Sequence, residues 1–336
     1  PLKQMAAAAA FACTFAATPA TAQTILTASS WVPSSHILTI SLRQWCEALS
    51  GESQGKIRCN LLPRAVSPAP GTFDAVKSGQ ADISFTVHGY TPGRFITPQL
   101  AEFPFLGNFS EAISVAFQRT AQKNPIMLEE HVGVKPLALF THGPGLVYNT
   151  KRPIANLEDL GGLKFRVGGG MVNEISKTLG MNVTLKPAPE SFELLSSGVM
   201  DGTLFPAESV EAFKIDKIVK HATSFPGGLY NTSFVLMMNV DKYNKLAADE
   251  KRAVDKVSGE FAARLFGRNW DSQDRKGLAY MQVSGVQFVK ADAKFVADIK
   301  SKTSGLEAKW IAEAKGLKDA KKVLTDFRAE IARLEK

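Results

Sequence analysis

Twice along this chain, near residues 72–87 and 190–205, a short helical stretch closes on a Ser-Gly pair and runs into an apolar strand. The two phrases share a rhythm rather than a sequence, and that rhythm is what most limits the fold. Parallel strands need a crossover of a dozen or more residues, most often a helix, so strand–helix–strand alternation calls for α/β layers. Around the first phrase, residues 24–30 read as a buried strand. A helix then opens at Pro33-Ser34-Ser35, with Leu38, Leu42, Trp45 and Leu49 on one face, and residues 56–62 form a second strand. Around the second phrase, strands are expected over 133–142, 146–148, 163–167 and 200–204. A helix over 173–179 is closed by Gly180, and 182–185 is again extended. Two related α/β lobes are therefore expected, with a last apolar strand over 234–239. Residues 247–281 follow a helical pattern, with Val254, Val257, Phe261, Leu265 and Phe266 as its apolar stripe and possible kinks at Gly259, Gly267 and Gly277. Residues 291–336 read as amphipathic helix with Phe295, Ile299, Trp310, Leu324, Phe327 and Ile331 facing inward.

The start of the chain predicts export. Lys3, an apolar run over 5–17, and Ala20-Thr21-Ala22 before Gln23 read as a signal peptide over 1–22. That run is too short to span a bilayer, and no later segment reaches about 18 uninterrupted apolar residues. Cys13 leaves with the leader. Cys46 and Cys59 then form either a local disulfide or two buried thiols, and they lack the CxxC spacing of a redox or zinc site. The net charge of +8 comes from 40 basic against 32 acidic residues. They are dispersed and interleaved on helices, so a nucleic-acid footprint is not expected, while a mild positive field favours anionic solutes.

Enzyme signatures are weak. The five histidines, at 36, 88, 131, 142 and 221, show no HExxH or paired metal spacing. Gly-Glu-Ser-Gln-Gly at 51–55 runs from helix to strand, the reverse of a nucleophile elbow, and reads as a polar turn. No nucleotide frame precedes or follows Gly168-Gly169-Gly170. No catalytic residue, metal or cofactor is expected. Arg166 is more informative. It stands at the carboxyl end of a strand before three glycines, where open α/β sheets bind ligands. Its guanidinium matches a carboxylate bidentately, and the glycines would let backbone amides approach the anion.

Longer phrases then carry a family resemblance. Asp74-Ala75-Val76-Lys77-Ser78-Gly79-Gln80-Ala81-Asp82-Ile83 and Phe103-Pro104-Phe105-Leu106 come first. Asn156-Leu157-Glu158-Asp159-Leu160-Gly161-Gly162-Leu163-Lys164-Phe165-Arg166-Val167 and Ser197-Gly198-Val199-Met200-Asp201-Gly202 follow. Through roughly residue 285 the chain resembles the periplasmic solute-binding subunits of TRAP transporters. The resemblance implies a two-lobe periplasmic binding protein fold with mixed sheets and a long helix spanning both lobes. Lobe I would take 23–142 plus 232–270, and lobe II 143–231 plus 271–336. It implies a monomeric, non-enzymatic protein of the periplasm that closes on a small organic carboxylate and delivers it to membrane permease subunits. A binding protein of an ABC importer or sensor, or an exported carboxylate-modifying enzyme, are the alternatives.

By matching positions, Arg166 would bind the carboxylate, Phe205 would line the cleft and Asn231 would contact the ligand. Sialic-acid-binding relatives carry asparagine at the Phe205 position and a second arginine near 145–146, where this chain has Gly145-Leu146. That departure, with Trp31, Tyr90, Phe205 and Tyr230 near strand ends, points to a monocarboxylate with an aromatic or branched apolar body, bearing a 2-oxo or 2-hydroxy group. His36, His88 and His142 are the candidate polar contacts.

Overall fold

The computed structural model describes residues 23–336, so the leader expected over 1–22 lies outside the described residues. The N-terminal alternation builds the first sheet. β1 (Thr24–Ala28), α1 (Ile37–Glu52), β2 (Ile57–Leu61), α2 (Thr72–Lys77) and β3 (Ile83–Val87) follow one another, then α3 (Ser110–Lys123), α4 (Ile126–Glu129) and β4 (Val134–Thr141). The predicted face of α1 is the buried one: Leu38, Leu42, Trp45 and Leu49 are all inside. Residues 51–55 are the end of α1 and the turn into β2, as a polar turn should be.

Cys46 of α1 and Cys59 of β2 are disulfide-bonded, with Cα atoms 5.7 Å apart and a sequence separation of 13. A loop of that size limits the unfolded chain by about 3 kcal/mol. Replacing both cysteines by alanine is expected to lower the unfolding free energy by about that amount, read as a shift in the urea midpoint. An unchanged midpoint would show that the bond adds nothing.

Beyond β4 the chain crosses through residues 142–145 into a second sheet. This holds β5 (Leu146–Asn149), β6 (Lys164–Val167), α5 (Met171–Thr178), β7 (Asn182–Leu185), α6 (Ser191–Ser196), β8 (Gly202–Phe205), α7 (Ser209–Ala212) and β9 (His221–Ser224). The return crossing leads to β10 (Ser233–Asn239), then α8 (Val240–Lys245), α9 (Ala248–Lys256), α10 (Glu260–Val283), β11 (Gln287–Lys290), α11 (Ala293–Glu313) and α12 (Ala320–Leu334). Strand order is β2-β1-β3-β10-β4 in the first sheet and β11-β9-β5-β8-β6-β7 in the second. Each sheet is mixed for one reason. The strand that enters it by a crossing, β10 or β5, runs antiparallel to both its neighbours. The crossings are bonded to each other: the Gly145 amide donates to the Tyr230 carbonyl, and the Leu229 amide to the Gly145 carbonyl. β9 and β11 are absent from the sequence reading. They are short, and β11 is largely exposed, so only their pairing makes them strands.

The expected helix over 247–281 is divided. Gly259, at φ +60°, separates α9 from α10. The break resets the helical phase, so Val254, Val257 and Phe266 are buried whereas Phe261 is 46% exposed. Twenty-four residues of α10, about 36 Å at 1.5 Å per residue, span the two lobes. Gly267 and Gly277 lie within this unbroken helix and let backbone in. A Cβ on Gly267 would stand 2.6 Å from Glu111 Cα, in α3, and one on Gly277 2.5 Å from the Ala207 carbonyl, beyond β8. The six inward candidates of the C-terminal helices are all buried, with Phe327 of α12 against Phe117 of α3.

Candidate ligand-binding site

Both crossings and the carboxyl ends of strands from both sheets converge on one cavity. Arg166, on β6, stands in its wall and is only 2% exposed. Lys164 shares its face of β6 but is exposed, so burial of Arg166 is imposed by what covers it. Its Nε donates to the Lys186 carbonyl at 2.8 Å, which fixes the plane of the guanidinium. The Phe205 ring lies 4.6 Å from its central carbon, and Phe213 stacks behind Phe205 at 5.3 Å. Burial pulls the guanidinium below its ordinary pKa. Among the described residues Arg166 forms no ion pair with a carboxylate. A buried cation without an anion is costly to the fold and ready to accept one.

The aromatic expectations converge here. Trp31, Tyr90, Phe205 and Tyr230 all line the cavity, as do His36 and His142. Trp31 is fixed by its indole N–H on the Phe85 carbonyl at 2.9 Å. The Tyr90 hydroxyl accepts from the Ala188 amide at 2.9 Å and so ties the first lobe to the second. A Cβ on Gly145 would lie 2.1 Å from the Tyr230 ring, so the aromatic fills the space next to that position. His36 caps α1, accepting from the Leu38 amide, and its Nε2 lies 3.3 Å from Glu208 Oε1. Burial lowers its pKa to about 3.

Two expected contacts lie elsewhere. Asn231 is buried and absent from the cavity wall; with its amide nitrogen turned towards them, it donates to the Gly143 and Tyr230 carbonyls and braces the crossings against each other. His88 is not in the cavity wall: its Nδ1 is 2.8 Å from Ser233 Oγ and its Nε2 is 2.9 Å from His131 Nε2. The glycines also differ from expectation. Only Gly168 lines the cavity. A Cβ on Gly169 would meet the Gly89 carbonyl at 2.5 Å, and one on Gly170 would meet Glu102 Oε2 at 2.5 Å. These two glycines therefore admit the opposite lobe rather than an anion.

Sequence reasoning missed Trp270, Phe213, Glu102 and Glu208. Trp270 of α10 lines the cavity but follows Phe266 by one helical turn, so it reads as core. Glu102 precedes the Phe-Pro-Phe-Leu phrase. Its Oε2 accepts from the Met171 amide at 2.7 Å, across the lobe boundary, and its Oε1 lies 2.6 Å from Ser233 Oγ. Burial raises this carboxyl to about 7.

Known proteins place this geometry. The model of bacterial extracellular solute-binding protein, family 7 (DctP) matches residues 28–313. A TRAP periplasmic solute-binding protein from Bordetella bronchiseptica, crystallised with (R)- and (S)-mandelate, is 39% identical with a TM-score of 0.90, covering 92% of this chain and 99% of that one. A marine metagenome TRAP solute-binding protein specific for aromatic acids, with 3-hydroxybenzoate, is 30% identical with a TM-score of 0.87, covering 94% and 99%. One from Rhodoferax ferrireducens with co-purified benzoate is 28% identical with a TM-score of 0.86, covering 93% and 99%. The match over most of its length, to binding proteins and not to enzymes, makes this chain a member of solute-binding protein family 7, the TRAP transporter periplasmic solute-binding proteins.

Proposed function

We propose that this protein binds an aromatic monocarboxylate between its lobes and delivers it to TRAP membrane permease subunits in the periplasm, after removal of a leader over 1–22. The observation that carries this reading is Arg166: a buried guanidinium without a carboxylate partner among the described residues, with Phe205 over it, in a cavity lined mainly by aromatic and aliphatic side chains. A carboxylate on Arg166 leaves the rest of the cavity to receive a ring, and the tight approach of Tyr230 to Gly145 argues against a second cation there. The mandelate, benzoate and 3-hydroxybenzoate of the three relatives agree with that shape and charge. Because the ligand touches both lobes only when they meet, binding favours the closed form, the form that the permease would recognise.

A thermal-shift screen of residues 23–336 against small carboxylates tests this. A ligand at about 100 times its Kd adds about 2.7 kcal/mol to stability, enough for a visible rise in Tm. Mandelate, benzoate or 3-hydroxybenzoate is expected to give the largest rise. A larger one from succinate or another dicarboxylate would overturn the proposal.

A further inference from the structure

The described tryptophans and histidines divide sharply by how their ring nitrogens are used. Trp31, Trp45 and Trp310 donate their indole N–H to the carbonyls of Phe85, Val257 and Ile96 at 2.8–2.9 Å. Trp270, 2% exposed, has no partner for its Nε1 among the described residues. Likewise His36, His88 and His131 engage both ring nitrogens. His142, 4% exposed, places Nδ1 2.5 Å from the Gly143 carbonyl and leaves Nε2 without a partner. Buried polar atoms are rarely left so, because each costs free energy when unmet.

His221 Nδ1 is also unmet but lies outside the cavity wall, whereas Trp270 and His142 are neighbours in it. The His142 and Trp270 rings lie 5.9 Å apart between centroids, and both line the cavity that contains Arg166. Tyr230 crosses the His142 ring perpendicularly at 5.2 Å and lines the cavity beside Arg166 as well. The protons can be placed by chemistry. A carbonyl only accepts, so His142 carries its hydrogen on Nδ1, and burial, which lowers its pKa to about 4, keeps the ring neutral. Its Nε2 is then a bare lone pair, while Trp270 Nε1 can only donate.

We propose that His142 Nε2 and Trp270 Nε1 form a subsite for one hydroxyl group of the ligand, which makes the cavity selective for a hydroxylated aromatic acid over its deoxy counterpart. A hydroxyl donates to the first atom and accepts from the second. A ketone or ether oxygen satisfies only Trp270, an ammonium only His142, and a carboxylate cannot donate at all. A deoxy acid leaves both atoms unmet, and sites built to bond a hydroxyl discriminate strongly against its absence.

The inference rests on the aromatic-acid reading, and titration calorimetry on the wild-type chain separates the two. Kd is measured for phenylacetate against mandelate, and for benzoate against 3-hydroxybenzoate. At least one hydroxy acid is expected to bind about tenfold or more tighter than its partner. Within Trp270→Phe and within His142→Leu that ratio is expected to fall towards one, and a ratio taken inside each variant is unaffected by loss of folded protein. Deoxy acids that bind as tightly as both hydroxy acids would overturn the subsite and leave the carboxylate reading standing. A ratio that survives in both variants would overturn it too. If none of the four acids binds, the aromatic-acid reading fails and the subsite with it.

Discussion

Arg166→Ala is expected to weaken binding of an aromatic carboxylate by at least about a hundredfold, with Arg166→Lys recovering only part. Removing one partner of a desolvated charge pair costs on the order of 3–5 kcal/mol, and each 1.4 kcal/mol is tenfold in Kd. Lysine keeps the charge but cannot donate to the Lys186 carbonyl and present a planar fork at once, as Arg166 does. Nor does an ammonium offer the Phe205 ring a delocalised cation, as the guanidinium 4.6 Å from its centroid does. The same residue should act oppositely on the empty protein. Its charge is buried without an ion-pair partner among the described residues, and natural sites of this kind sacrifice stability for function. Arg166→Met is therefore expected to raise the Tm of the ligand-free chain while abolishing the rise that the acid produces. Near wild-type affinity for Arg166→Ala in calorimetry would remove this residue from the site.

Much of this was legible in the sequence because the signal was local. Strand–helix alternation marks both sheets, helical spacing marks the buried face of α1, and position at a strand end marks Arg166. What escaped depends on partners distant along the chain. His88 and His142 look alike as letters. One is consumed by Ser233 and His131 while the other keeps a free lone pair in the cavity. Trp270 has the spacing of a core residue and is one, except that among the described residues no carbonyl meets its N–H. The glycines after Arg166 are needed for close approach, but what approaches is Gly89 and Glu102 of the other lobe. No periodicity encodes those facts, since each arises from two elements meeting across the cleft. Gly259 shows the limit even for local signals. One residue in left-handed backbone shifted the helical phase and turned Phe261 outward.

Between pH 5.5 and 7.5 the ligand affinity of the wild-type chain, divided by that of Glu102→Gln, is expected to fall about tenfold or more. The reason is a proton held where the lobes meet. His131 Nδ1 must donate to the Leu128 carbonyl at 3.1 Å, so a neutral His131 presents a lone pair on Nε2, and His88 Nε2 must carry the hydrogen between them. Ser233 Oγ, with one hydrogen, stands 2.8 Å from His88 Nδ1 and 2.6 Å from Glu102 Oε1. Both contacts are satisfied only with one further proton, on Glu102 or on His88. Burial raises the Glu102 carboxyl to about 7; parting of the lobes admits water, which outweighs the loss of the Met171 amide and returns it towards about 4.3. A carboxyl whose pKa is higher in the closed form takes up a proton on closure. Closure is then most favoured at low pH, is lost by up to about tenfold per unit as pH rises from about 4.3 to 7, and levels off above. His36 and His142, whose pKa values burial lowers to about 3 and 4, work in the opposite sense below about 6.5. Glu208 and Asp274, both raised by burial, work in the same sense as Glu102. All four remain in the glutamine variant and cancel in the ratio. Glu102→Gln itself loses affinity at low pH, because its amide N–H faces one of the backbone donors that the carboxyl accepts from. A ratio that is flat across the range would show that Glu102 keeps one ionisation state in both forms, and a ratio that rises would reverse the sign of the coupling.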